Sequence, residues 1–460
     1  MKKLFLPLFI FPLIGFGQQS VQQIDSIVQS KFNNGPAVSV LVSQEFRPIY
    51  SQVKGLSNME LKLQATEHTR FRIGSVTKQF TAIAILQLME EGKLSIKDPI
   101  QKFLINFPKK EYPLTIEHLL THTSGLAEIT ELEVFEKDLM QNGCDPDSLV
   151  NYFKDLPLEF EPGSQFSYCN SGYHLLGLII EQVSGEDYNQ YISNHLLSPA
   201  GMTHTLADRT DSIIDRRAMG YEEVDGRIQK ATFIDMSIPF SAGNLLSTAN
   251  DLNKWYQALF EYKLVSKQTL QSAHTPFRLN DGSYSNYGYG WFVDSLQGEK
   301  LISHEGGING FLSSAWFIPF SKTLTIILSN CLCSPTTQTA KSLTAIAIGK
   351  PLPIKKRIKL PEDLLQTYTG VYLMNGEEWT ISMQDGELYF RFSNGNGHPI
   401  YPLSKNEFFA EEWDTQFLFF EKDGTVEFHF VYLGEIVRGI GSECTFMVID
   451  LGDFPSEDSY

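Results

Sequence analysis

Val21, Ile24, Ile27, Val28 and Phe32 recur at helical spacing, so residues 18–34 predict a helix. AVSVLVSQ (37–44) and RPIYSQVK (47–54) follow and read as two strands of a hairpin. From Ser75 to Glu91 the pattern is helical again, but Phe80, Ile83, Ile85, Leu86, Leu88 and Met89 leave little polar surface. A helix apolar on most sides belongs in the interior, and Gly92 supplies its stop. Residues 100–280 are mixed, with several helical patterns. Strand-like runs return at YGYGWFV (287–293), KLISHEG (300–306), SSAWFIPF (313–320) and TLTIILSN (323–330), and a helical stretch follows at 335–348. The expected fold class is α+β: a mixed sheet built from both ends of this unit, flanked by helices, with a largely helical middle inserted.

KPLPIKKRIKLPED (350–363) carries three prolines and five basic residues and breaks the pattern. We read 351–363 as a linker. Beyond it, short alternating runs are separated by Asn375-Gly376, Asp385-Gly386, Asn394-Gly395 and Asp423-Gly424, all hairpin signals. Residues 364–460 are therefore expected to hold a small antiparallel β-domain, a barrel. Its aromatic residues (Tyr368, Tyr372, Trp379, Phe390, Phe419 and Phe420) suit a barrel core better than a ligand platform.

The chain opens MKKLFLPLFIFPLIGFGQQ. A basic start, an apolar run and small residues near the end read as a signal peptide over 1–17, cut before Gln18. An uncleaved anchor is the alternative. The expected location is periplasmic or secreted, with no stable membrane anchor after cleavage and residues 18–350 forming the main domain.

Composition narrows the partners. The 460 residues are 42% hydrophobic and carry a net charge of −17. That balance argues against nucleic acid or an anionic membrane as partner, since both are bound mainly through Lys and Arg. A small-molecule or peptide substrate remains, and the oligomeric state is open. Cys144, Cys169, Cys331, Cys333 and Cys444 are odd in number, and their spacings suggest no disulfide framework. Cys331-x-Cys333 has no nearby partners for a metal, and His304-Glu305 fails as a zinc-protease motif because position 308 is Ile.

Ser-x-x-Lys occurs twice, at Ser51–Lys54 and Ser75–Lys78. In a strand, residues three apart face opposite sides, so the first pair cannot meet. At a helix start they are neighbours. Burial would lower the Lys78 pKa, so that a neutral amine could take the serine proton. The bland reading has Ser75 capping the helix and Lys78 solvated. No Gly-x-Ser-x-Gly elbow is present, which argues against an α/β-hydrolase. Tyr168 and Asn170 sit two apart before an apolar helix, where a phenol can shuttle a proton and an amide can hold a polar atom. In LISHEGGINGF (301–311) an apolar strand runs into His304-Glu305-Gly306, and glycine there would let a ligand approach the backbone.

These three segments resemble the Ser-x-x-Lys, Tyr-x-Asn and His-x-Gly motifs of the serine β-lactamase and penicillin-binding protein superfamily, in the branch of class C β-lactamases and D-aminopeptidases. LLTHTSGL (119–126), AGNLLSTANDLNKW (242–255) and YGYGW (287–291) match that branch too. The resemblance spans about residues 20–350, and the tail is loosely similar to lipocalin-like barrels appended to such enzymes. It implies a β-lactamase/transpeptidase-like fold. It makes Ser75 the nucleophile, with Lys78 and Tyr168 sharing the proton work. Asn170, His304 and Gly306 become substrate-binding residues, and the N–H groups of Ser75 and Gly307 the oxyanion hole; a mechanism of this kind implies no metal or organic cofactor.

The third motif departs from the Lys-Thr-Gly of true β-lactamases. A histidine is largely neutral near pH 7, so anionic β-lactams are expected to be poor substrates. The expected function is an exported serine hydrolase acting on small amides, D-residue peptides or esters. A penicillin-binding protein or β-lactamase is the second reading, and a non-catalytic binding or sensor protein the third. Elsewhere, His122 and Ser124 are expected to shape a turn, His174 to be a satisfied core residue and Cys169 to point away from the site. Asn244 to Ser247 are only candidates for the cleft wall.

Overall fold

A computed structural model describes residues 14–32, 35–353, 355–374, 377–392, 397–410, 415–422, 425–432 and 435–439. The chain separates into two compact units, dividing between Leu352 and Pro353. The first opens with helix α1 (Ile14–Lys31) and the hairpin β1 (Val38–Gln44) and β2 (Arg47–Lys54). It closes with β3 (Phe292–Leu296), β4 (Glu299–Ile308), β5 (Phe311–Ile318) and β6 (Thr323–Ser329), then a final helix, Thr336–Ala347. The six strands form one sheet in the order β3-β4-β5-β6-β1-β2. Both ends of this unit thus build the sheet. Every pairing is antiparallel, however, so the mixed sheet expected from the sequence is corrected. The strands β3 to β6 follow one another through short turns, and such turns reverse the chain each time.

Both faces of the sheet are covered. Val38, Val40 and Val42 pack with Ile24 and Val28 of α1, with Phe32 just after it, and with Leu343 and Ile346 of the closing helix. The alternate residues, among them Leu41, Phe317, Ile326 and Leu328, face the main core. With both sides covered, β6 shows no face to solvent: all seven of its residues are buried, Thr323, Thr325 and Ser329 included. Helix α2 (Thr77–Glu90) runs through the main core and is buried nearly all round. Phe80 stacks on Trp255 at 4.0 Å between centroids, and Gln79 accepts a hydrogen bond from the Trp255 indole. Each buried aliphatic or aromatic side chain contributes about 1.5–3 kcal/mol, so this helix is an anchor for whatever its first turn carries.

Two sequence expectations meet further detail. The N-terminal helix begins at Ile14, so the expected cut before Gln18 falls within it; residues 1–13 lie outside the described residues. Cys331 and Cys333, for which no pairing was expected, are joined as a disulfide. They sit in the turn after β6, which brings side chains two apart together, a geometry that spacing rules do not capture.

Among its described residues the second unit holds a short helix, Glu362–Thr367, and eight strands in sequential antiparallel order from Gly370–Met374 to Glu435–Gly439. The first and last strands approach each other, so the sheet is a nearly closed barrel. Tyr368, Tyr372, Phe390 and Phe419 are buried in it and Trp379 is half-buried, whereas Phe420 points outward. Asp385 and Gly386 both have positive φ and make a hairpin turn. The other three predicted turns lie outside the described residues. Part of the expected linker belongs to this unit: the Ile358 N–H donates to the Pro402 carbonyl and the Arg357 guanidinium lies over the Tyr401 ring.

Candidate active site

Ser75 lies in a single tight turn, Gly74–Val76, that leads straight into α2. Lys78 follows one turn later and is fully buried. Its Nζ lies 3.1 Å from Ser75 Oγ, 2.8 Å from Asn170 Oδ1 and 2.9 Å from the Ala242 carbonyl. Burial lowers the Lys78 pKa to about 7, against the pull of Glu128 and Cys169. At neutral pH a large share of this lysine is therefore an amine. A neutral amine has two N–H groups and one lone pair. The carbonyl and the amide oxygen can only accept, so they take the two N–H groups, and the lone pair is left for the serine O–H.

Asn170 is the first residue of helix α3 (Asn170–Ser184). Its backbone N–H and its Nδ2 both donate to the Glu128 carboxylate. Glu128 also accepts from the Thr130 backbone and hydroxyl. Tyr168 precedes the helix, with its ring 4.8 Å from Lys78 Nζ. Its hydroxyl is buried and, among the described residues, makes no well-formed hydrogen bond, with the Ser75 hydroxyl a near polar neighbour. Burial pushes the phenol well above its usual pKa, with Ser75 opposing, so it stays protonated as a donor. His122 stacks beneath Tyr168 at 4.1 Å, and its Nδ1 accepts the Cys169 N–H. It has φ of 56° in a turn where Ser124 Oγ accepts the Leu126 N–H, as the turn reading anticipates. Cys169 points away and its Sγ meets the Leu126 carbonyl.

A cavity of about 220 Å³ opens beside Ser75. Gly74, Asn170, Ala242, Gly243 and Gly307 line it near the serine, and Ile129, Phe135, Ile234, Ile238 and Ile308 line the rest. No Lys, Arg, Asp or Glu is among its lining residues. His174 is at its edge, hydrogen-bonded to the Pro146 carbonyl and held neutral by burial, with a pKa of about 4. Of the 244–247 segment, Leu245–Ser247 is a buried strand, and Asn244 lines a different cavity.

The third motif is arranged differently from the expectation. His304 is buried, and neither it nor Gly306 lines the cavity. Nδ1 of His304 donates to the Glu305 carbonyl, so Nε2 accepts the Tyr287 hydroxyl at 2.9 Å. Burial drops its pKa to about 3, leaving a neutral ring. It lies in an aromatic box with Tyr168, Tyr287 and Phe292 behind the site. Glu305 points the other way from His304, accepts the Trp316 indole N–H and is not among the lining residues, so it adds no charge to the cavity. Gly306 is required by packing: a Cβ there would stand 2.0 Å from the Ile73 carbonyl oxygen. Gly307 is the exposed glycine that faces the cavity with Ser75, and its backbone abuts Gly74.

Three contributors have roles that the sequence alone does not announce. Ala242 acts through its backbone, which no side-chain pattern reveals. Glu128 lies two residues beyond the LLTHTSGL stretch and looks like any polar loop residue. Tyr287 lies in the YGYGW run, but only its hydrogen bond to His304 shows what it does.

Comparison with known proteins agrees with this geometry. A family model described as Beta-lactamase matches residues 24–347. Penicillin-binding protein 4* of Bacillus subtilis (strain 168) is 29% identical over 397 residues, covering 81% of this chain and 87% of that protein. The octameric penicillin-binding protein homologue from Pyrococcus abyssi superposes with a TM-score of 0.68 at 26% identity, over 92% of this chain and 98% of that one. A D-stereospecific amidohydrolase from Streptomyces sp. shares the fold, with a TM-score of 0.61 and 24% identity over 74% of this chain and 99% of its own. With a match across most of the first unit and a buried Ser-x-x-Lys pair at the start of the central helix, the chain belongs to the β-lactamase family of serine hydrolases.

Proposed function

We propose that the chain is an exported hydrolase that works through a Ser75 acyl-enzyme on small neutral amides, D-residue peptides or esters. The observation that carries this is the Ser75–Lys78 contact at 3.1 Å beside a cavity without charged side chains. Lys78 takes the serine proton as Oγ attacks the carbonyl carbon. The N–H groups of Ser75 and Gly307 receive the oxyanion. Tyr168, protonated and next to Ser75, gives a proton to the leaving group; water then cleaves the acyl-enzyme ester with the proton flow reversed. An apolar wall offers nothing to a carboxylate and disfavours burying one unpaired. His304, neutral and already bonded on both ring nitrogens, supplies no cation in its place. The kinship with a penicillin-binding protein supports the second reading, a slow reaction with β-lactams or cell-wall peptides.

The deciding experiment is intact mass after exposure to a penicillin and, separately, to an activated ester, with Ser75→Ala alongside. An adduct or released product that depends on Ser75 is expected with the ester. Efficient turnover of a cephalosporin would instead favour the β-lactamase reading, and no Ser75-dependent reaction with either reagent favours the binder.

The rate should depend on pH through Lys78. Its pKa of about 7 belongs to a base that must be neutral to act. Acylation is therefore slow below that pH and rises as the amine loses its proton. His304, with a pKa of about 3, adds no second limb between pH 5 and 9. A pre-steady-state pH profile with an ester checks this; a profile that falls across neutral pH would contradict it.

Export rests on the sequence signal. Cleavage before Gln18 would spare Ile24, Val28 and Phe32, which cover the sheet. N-terminal sequencing of the secreted protein beginning at Gln18 is the expected result.

A further inference from the structure

We propose that Glu128 is a positioning residue for the base: its carboxylate holds the Asn170 amide with the oxygen turned to Lys78, which aims the Lys78 lone pair at Ser75. This rests on the reading of Ser75 as nucleophile and Lys78 as base. An asparagine amide can sit either way round, with nearly the same shape. Here the choice is made by Glu128. It accepts from the Asn170 Nδ2 at 2.9 Å, and both its oxygens act as acceptors, one for Nδ2 and Thr130, the other for the Asn170 backbone N–H. An amide oxygen in that place would face another oxygen. With Nδ2 taken, Oδ1 must face Lys78 Nζ, at 2.8 Å.

The consequence reaches the reacting atoms. Oδ1 of Asn170 and the Ala242 carbonyl occupy the two N–H groups of the neutral amine. Were the amide reversed, its NH2 would face Nζ and compete with the Ser75 O–H for the lone pair. The loop carrying Glu128 does not need the carboxylate to hold its place: Ser171 Oγ donates to the Ala127 carbonyl and accepts the Ile129 N–H, on either side of it. Glu128 is buried and is absent from the cavity lining, so it acts through Asn170 and not on substrate.

Lys78 is faced by Glu128, by Tyr168 and Cys169 before α3, by Tyr173 within it, and by His122 and His304. The two phenols, the thiol and the two imidazoles are all kept neutral by burial. Removing the Glu128 charge therefore takes away the main pull that raises the Lys78 pKa, and the acid limb of the rate should move to lower pH.

The test compares wild type with Glu128→Gln and Glu128→Ala in full-length protein, using p-nitrophenyl acetate as probe across pH. The expected result is an acylation rate lower by roughly 10²-fold, little change in KM, and an acid limb moved to lower pH in Glu128→Gln. A purely structural role would lower folded protein without moving that limb. If Glu128→Ala fails to fold, Glu128→Gln, which keeps the shape, decides. Rates within about threefold of wild type and an unmoved limb would overturn the proposal while leaving the functional reading intact. A wild type with no Ser75-dependent product would remove that reading and this inference with it.

Discussion

Lys78→Met is expected to lower Ser75 acylation by roughly 10³-fold, within the 10²–10⁴ range of a positioned base. Methionine has a similar length and suits a buried site, so the fold should persist. The Asn170 amide oxygen and the Ala242 carbonyl lose their donor. That costs on the order of 1–3 kcal/mol for each unsatisfied group, but the burial of a charge-prone amine is relieved at the same time. Raising the pH should not restore the rate, because no group with a pKa near neutrality is left beside Ser75 Oγ. Tyr168 cannot take over at neutral pH, since burial holds its phenol well above its usual pKa. Lys78→Arg should fail equally, because a guanidinium stays charged. The measurement is the rate of ester-derived adduct on Ser75 between pH 5 and 10. A Lys78→Met rate within tenfold of wild type would move the base role to Tyr168.

Gly306→Ala should damage both folding and the site. The new Cβ would meet the Ile73 carbonyl oxygen at 2.0 Å and Ser313 Oγ at 2.4 Å. Neither is the free end of a flexible chain. Ser313 Oγ donates to that same Ile73 carbonyl at 2.8 Å, and the Ile73 N–H donates to Leu245. Either β4 or the turn carrying Ser75 must move. Overpacking of this kind costs about 1–3 kcal/mol or more, and a displacement near 1 Å at the nucleophile can cost about 10²-fold in rate. Gly307→Ala is the contrast, because its Cβ would meet only Leu312 at 3.7 Å. Thermal melts and ester acylation for both variants should separate them: a Gly306→Ala protein as stable and active as Gly307→Ala would refute the packing argument.

The two glycines show how far a sequence can be read. His304-Glu305-Gly306-Gly307 was legible as a motif at a strand end. Which glycine faces the cavity was not, because strand alternation only says that neighbours differ. Packing against the Ile73 backbone put Gly306 inside and Gly307 outside. His304 illustrates the same limit. Its place on a strand was clear, but the partner that silences its ring nitrogen, Tyr287, comes from a separate segment.

What the sequence determined by itself is what repeats locally. Apolar periodicity marked the strands at both ends of the first unit, and the all-round apolar helix behind Ser75 marked the interior. The helical turn made Ser75 and Lys78 neighbours without reference to any other element. The tertiary structure decided everything that makes this pair reactive. Lys78 meets Asn170 and Ala242, 92 and 164 residues away along the chain. Its lowered pKa is a property of burial, which no single segment possesses. Proximity along the chain constrains dihedral angles and faces; the direction of a lone pair, the charge of an amine and the orientation of an amide depend on the groups that folding brings around them.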